Sequence, residues 1–162
     1  MTRPVLIVED EQSIRDILAE VFDAEGTAVT AVATLEEARA ALAAVEFHLI
    51  VTDLRLGGRR DGGLQVMAAA GLLAPDATVI VLTAYPDEDN RHASLRLGAT
   101  HFLEKPVDLQ TIAGLAADAG VATAMRPGPF LVRDARPERR GPRAGRGATA
   151  GDAQPLYPEP AA

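Results

Sequence analysis

One short stretch constrains this chain more than any other. Leu49-Ile50-Val51 is an apolar run without alternation, and it stops at Asp53. A strand with one wet face alternates apolar and polar residues, whereas a strand covered on both faces does not. The run therefore predicts a strand inside a parallel sheet. Its terminal carboxylate then lies at the carboxyl edge, where open α/β sheets bind ligands. Taken alone, an aspartate at a strand end is better read as a turn residue.

The pattern recurs along the chain. Val5 to Val8 runs into Glu9-Asp10-Glu11, and Ala28 to Val32 is a shorter, weaker strand. Thr78 to Thr83 is nearly all apolar, and Thr100 to Leu103 is followed by Glu104-Lys105-Pro106. Between these runs the apolar spacing is helical. The first helix carries Ile14, Ile17, Leu18, Val21 and Phe22, and Gly26 is placed to end it. Thr34 and Glu37 have capping-box spacing and open a helix with Leu35, Ala38, Leu42 and Val45 inward. A loop containing Gly57-Gly58, Arg59-Arg60 and Asp61-Gly62-Gly63 leads to a helix with Leu64, Met67, Ala68 and Leu72 inward, stopped by Pro75. Residues 87–97 form a helix whose Ala93, Leu95 and Leu97 make no clean stripe, so its anchoring is weak. Asp108 caps a last helix with Leu109, Ile112 and Leu115 inward. Five strands alternating with five helices predict an α/β fold with a parallel sheet covered on both faces. Right-handed crossovers then bring all the strands' carboxyl ends to one edge.

Composition narrows the class. With four Phe, two Tyr and no Trp, aliphatic side chains must fill the core. The absence of Cys excludes disulfides and thiolate metal sites. Val5 to Val8 is too short for a signal peptide, and no apolar stretch approaches a membrane span, so no membrane association and a cytoplasmic location are expected. The net charge of −7 is uneven. Residues 1–120 hold 9 basic and 19 acidic side chains, or −10, while residues 121–162 hold 7 and 4, or +3. An acidic body is a poor match for nucleic acid. The last 37 residues include 7 Pro and 5 Gly, a composition that predicts disorder. The expected division is a folded domain over 1–122 and a tail over 123–162.

The strand ends assemble the chemistry. Glu9, Asp10 and Asp53 are brought to one edge, with Thr83-Ala84 and Lys105-Pro106 beside them. Two carboxylates about 4 Å apart repel by roughly 1 kcal/mol in water and about 4 kcal/mol at an effective dielectric of 20. A cluster kept despite that points to a bound cation, and oxygen ligands with room for water suit Mg²⁺. A carboxylate beside the metal can attack phosphorus. The metal and a lysine would offset charge on the transferring oxygens, and a threonine hydroxyl could bond the product phosphate.

In these residues the chain resembles the receiver domain of two-component response regulators, of the stand-alone type, over residues 4–119. An acidic pair after the first strand matches Glu9 and Asp10. The phospho-accepting aspartate matches Asp53, the Thr-Ala pair matches Thr83-Ala84, the aromatic matches Phe102, and Lys-Pro matches Lys105-Pro106. The resemblance implies a doubly wound, flavodoxin-like sheet of order 2-1-3-4-5. It implies that Asp10, Asp53 and the backbone carbonyl of Arg55 hold Mg²⁺, with Glu9 acting through water. It implies that Asp53 takes a phosphoryl group from a histidine kinase or histidine phosphotransfer protein and that Lys105 pairs with the phosphate. Thr83 and Phe102 would then switch a surface for a downstream protein, and the Lys105-Pro106 bond would be cis. The oligomer implied is a monomer or a phosphorylation-dependent dimer. In that family Pro is frequent four residues past the phospho-aspartate, where Gly57 stands. The loop also runs one residue longer, and both changes are expected to loosen it. Arg55 and Tyr85 stand at positions that flank the phosphate.

Simpler readings exist for each part. Glu9 and Asp10 alone read as helix-capping acids, Lys105 as a surface lysine and Phe102 as a partly exposed core residue. Arg59-Arg60 reads as a solvated loop pair. His48, His92 and His101 have no metal spacing and read as structural or surface residues. Phosphatases of the haloacid dehalogenase type also use a strand-end aspartate, but they need a second acid two residues later, where Arg55 stands. Residues 121–162 are too short and polar for a helix-turn-helix. A basic tail touching nucleic acid, or a receiver whose output domain has been lost, are the alternatives.

Overall fold

The computed structural model describes residues 1–125, so the tail from Arg126 onward lies outside the described residues. The elements run β1 (Arg3–Val8), α1 (Gln12–Val21), β2 (Thr27–Val32), α2 (Leu35–Ala44), β3 (Leu49–Asp53), α3 (Gly62–Leu73), β4 (Thr78–Thr83), α4 (Glu88–Arg96), β5 (His101–Glu104) and α5 (Leu109–Asp118). The strands form one sheet of order β2-β1-β3-β4-β5, and every pair is parallel. The fold is doubly wound and flavodoxin-like, with the expected strand order.

The two faces explain why the strands do not alternate. Leu6, Val8, Ile50, Val79 and Val81 point to one side and pack with Leu35, Leu42, Val66 and Met67 of α2 and α3. Val5, Ile7, Leu49, Val51, Ile80 and Leu82 point to the other and pack with Leu18, Val21, Phe22 and Ile112. Successive residues face opposite sides of a strand, so two dry faces require an unbroken apolar run.

Thr34 caps α2 as expected: its Oγ1 accepts from the Glu37 amide at 3.1 Å and donates to the Glu37 carboxylate, which reaches back to it, at 3.1 Å. Three local expectations need correction. Gly26 does not end α1; the helix closes at Phe22, and Gly26, at φ 85°, turns the chain into β2. The inward face of α3 is Val66, Met67 and Ala70, while Leu72 is 85% exposed. Ile17 and Val45 are exposed as well.

The loop after β3 is tight rather than loose. Leu56 and Arg59 exchange backbone hydrogen bonds of 3.1 and 2.9 Å across Gly57-Gly58. Both glycines have positive φ, 57° and 78°. Two consecutive left-handed residues make the two-residue hairpin turn for which Gly-Gly is suited.

The packed chain continues past α5. Val121 is buried, Thr27 Oγ1 donates to the Ala122 carbonyl at 2.7 Å, and the Ala124 amide donates to the Val21 carbonyl at 2.8 Å. A chain ended after Ala119 is therefore expected to be at least about 3 kcal/mol less stable than one ended after Met125, because it loses the buried Val121 side chain, the Met125 packing and the hydrogen bonds made by Thr27, Gly120, Val121 and Ala124. Equal urea midpoints for the two would show that this segment does not anchor α1.

Candidate functional site

The sheet delivers the site. β1 and β3 are neighbours with Val8 opposite Thr52, so Glu9 and Asp53 leave adjacent strands at the same level. β4 and β5 add Thr83 and Glu104, which are register partners, and Lys105 follows directly. Glu9, Asp53 and Lys105, 44 to 96 positions apart in sequence, thus meet because parallel strands end together. The Lys105-Pro106 peptide bond is cis.

Lys105 Nζ lies 3.0 Å from Glu9 Oε2 and 3.0 Å from Asp53 Oδ2. Asp53 Oδ1 accepts from the Arg55 amide at 3.3 Å. Glu9 is 1% exposed, and its second oxygen accepts from the Glu11 amide at 3.3 Å. Asp10 is exposed, and its Oδ2 accepts from the Gly57 amide at 3.1 Å. Thr83 is buried, and its Oγ1 accepts from the Tyr85 amide at 3.0 Å. Phe102 is half-buried against the core face shared with α2 and α3. All the site residues expected from the sequence therefore stand at one sheet edge, but Phe102 packs into the core beside it rather than among the charges.

Burial pushes the Glu9 carboxyl up to about 7, with the nearby Asp53 charge adding to the effect and Lys105 opposing it. Burial works to lower the Lys105 pKa, but its bonds to Glu9 and Asp53 outweigh that and hold it above its ordinary value. One ammonium therefore does not balance the acids around it. Glu9, Asp10 and Asp53 can each offer a ligand oxygen, with all three atoms within 4.8 Å of one another. A hard divalent cation fits that donor set and would relieve the burden on Glu9.

Two contacts were not visible in the sequence. The Arg55 guanidinium lies 4.0 Å from the centre of the Tyr85 ring. This cation–π pair ties the loop after β3 to the loop after β4. Arg and Tyr each two residues past a site residue are the only sequence signal for it. Arg15 donates to the backbone carbonyl of Glu9 at 2.9 Å, fixing the turn that carries the acidic pair. His48 is structural, as read: its Nε2 lies 2.8 Å from Arg3 Nη1 and 2.8 Å from the Ala119 carbonyl.

Comparison with known proteins agrees with this arrangement. Residues 5–116 match the family model for the response regulator receiver domain. The chain is 37% identical over 115 residues to the response regulator protein PilR of Pseudomonas aeruginosa, a match covering 70% of this chain and 25% of PilR. It thus spans about a quarter of the length of that relative. It is also 33% identical over 106 residues to an uncharacterized 14.6 kDa protein of Leptolyngbya boryana, covering 64% of this chain and 79% of the other. Among solved structures, a Burkholderia pseudomallei response regulator with a phosphorylated aspartic acid, calcium ion and citrate superposes with a TM-score of 0.64 at 31% identity, covering 73% and 69% of the two chains. A receiver domain from Methanospirillum hungatei gives 0.68 at 27% identity, covering 73% and 93%. With the sheet order, the edge-on acidic cluster and the lysine in place, the chain belongs to the response regulator receiver domain family.

Proposed function

We propose that this chain accepts a phosphoryl group on Asp53 from the phosphohistidine of a histidine kinase or histidine phosphotransfer protein, and converts it into a change of protein-binding surface. The observation that carries this reading is Lys105 Nζ held 3.0 Å from Asp53 in a cluster of three carboxylates. An Asp53 oxygen attacks phosphorus, the P–N bond of the phosphohistidine breaks with its electron pair returning to the imidazole, and an acyl phosphate forms. Asp10, Asp53 and the Arg55 carbonyl would hold Mg²⁺, with Glu9 acting through water. When bound, that ion would offset charge on the transferring oxygens. Lys105 supplies the same compensation from the protein side. The Thr83 hydroxyl already accepts from the Tyr85 amide, so its proton is free to turn towards a phosphoryl oxygen. An apolar groove of about 530 Å³ beside Lys105, lined by Ile14, Ile17, Val107 and Leu109, gives a protein donor a surface next to Asp53.

The output would run through α4 and β5. Ser94 is the one side chain that α4 buries, and it bonds the Asn90 carbonyl of its own helix at 2.7 Å. A helix so thinly packed is a suitable two-state element, biased by Thr83 and Phe102 on the strands beside it. The downstream partner is read as a protein, engaged by a monomer or a phosphorylation-dependent dimer in the cytoplasm.

Incubation with a small phosphodonor tests the transfer. The intact mass should show one phosphoryl group in Mg²⁺ and little in EDTA; equal labelling in EDTA counts against the metal's role. Beryllofluoride, standing in for the acyl phosphate, tests the coupling. It should change amide exchange over residues 87–110 in the wild type and much less in Thr83→Ala, and an undiminished response in that variant would remove Thr83 from the switch.

A further inference from the structure

We infer that the Gly57 amide is a positioning group for the cation site, acting through Asp10. Of the three clustered carboxylates, Asp10 alone is exposed. Glu9 and Asp53 are both fixed by Lys105 and by nearby amides in their own strand-end turns. Asp10 has no such support. Among the described residues, the one donor to its carboxylate is the Gly57 amide, 47 positions away, at 3.1 Å from Oδ2. An exposed carboxylate left to rotate would lose side-chain freedom on taking a ligand. The hydrogen bond settles that orientation beforehand and leaves Oδ1 without a donor among the described residues.

The hairpin makes the bond possible. Gly57, at φ 57°, sits at the first place of a turn closed on both sides by the Leu56 and Arg59 backbone bonds. The turn aims the Gly57 amide across to the loop after β1. Proline there would remove the donor and cannot adopt positive φ. Any residue tolerant of the left-handed region keeps the donor; a Cβ at Gly57 meets nothing within 4 Å, so space is not the constraint. Outer-shell partners of metal-binding carboxylates commonly contribute 10–100-fold to metal affinity.

This inference rests on the cation site proposed above. Mg²⁺ binding to the full chain is measured by titration calorimetry in four proteins. Gly57→Pro should bind about 10–100-fold more weakly than wild type. Gly57→Asn, which keeps the amide and tolerates the left-handed region, should stay close to wild type. In an Asp10→Asn background, adding Gly57→Pro should cause no further loss, because the amide acts through that carboxylate. The Gly57 amide should also exchange faster with solvent in Asp10→Asn than in wild type, with no metal present. If wild type binds Mg²⁺ and Gly57→Pro binds it equally, the positioning role is overturned and the site stands. A further loss in the Asp10→Asn background would overturn it too, showing a general effect of the turn. No binding by wild type would overturn the site and the positioning role together.

Discussion

Gly63→Ala is expected to cost about 3 kcal/mol and to lower the melting temperature by roughly 10 °C or more. A Cβ at this position would overlap the Asp53 carbonyl oxygen and stand 2.6 Å from the Leu54 Cα. Both are backbone atoms of the strand end that carries the acceptor, so no side chain can swing aside. The Gly63 amide also donates to the Leu54 carbonyl at 2.8 Å. The first turn of α3 is thereby pressed directly onto the site. Gly71 in the same helix provides the control. A Cβ there meets nothing within 4 Å, and replacing it with Ala should stabilise the protein by about 0.5–1 kcal/mol. Two Gly-to-Ala changes eight residues apart should therefore move urea midpoints in opposite directions. A harmless Gly63→Ala would mean that α3 does not set the position of Asp53.

Glu9 has the second large effect, and it appears in pH. Its folded pKa is about 7 against an ordinary 4.5, with burial the main cause. Between those values the folded protein binds a proton that the unfolded chain has released. The unfolded state then binds fewer protons, so stability falls as pH rises through that window, by about 3 kcal/mol. Lys105 works in a separate window. Its raised pKa contributes stability that is complete below its ordinary 10.5 and is lost as pH climbs through its folded value. Metal-free wild type should thus lose stability to urea between pH 5 and 8 relative to Glu9→Gln, which has no charge to acquire. Mg²⁺ should restore the wild type at pH 8, since a ligand of the folded state adds stability by mass action. Parallel pH profiles for the two proteins in EDTA would show that the Glu9 charge is already balanced.

How much of this was legible beforehand depends on what each residue faces. The strands were readable because burial on both faces leaves Val5 to Val8 and Thr78 to Thr83 unbroken in hydrophobicity. The site followed from the strands, because parallel strands that end together gather whatever residues follow them. The inward face of α3 was not readable. From Leu64 to Leu73 the helix is almost entirely apolar, so the periodicity that marks a face is lost, and Val66 and Ala70 face inward where Leu72 is the expected residue. The loop after β3 departs from expectation for a different reason. Gly-Gly reads as freedom, but between Leu56 and Arg59 it closes a hairpin whose left-handed turn residues glycine adopts without cost. The stacking of Arg55 on Tyr85 depends on two loops meeting, which spacing within either loop does not encode.

Asp53 is the proposed acceptor, and its acyl phosphate can be trapped. After phosphorylation by a small donor in Mg²⁺, borohydride reduction of the acyl phosphate leaves a permanent mark on the side chain that carried it. Peptide mass spectrometry should find that mark on Asp53 alone, and Asp53→Asn should carry none. A mark on Glu9, Asp10 or any other residue of the wild type, or full labelling of Asp53→Asn, would show that Asp53 is not the acceptor.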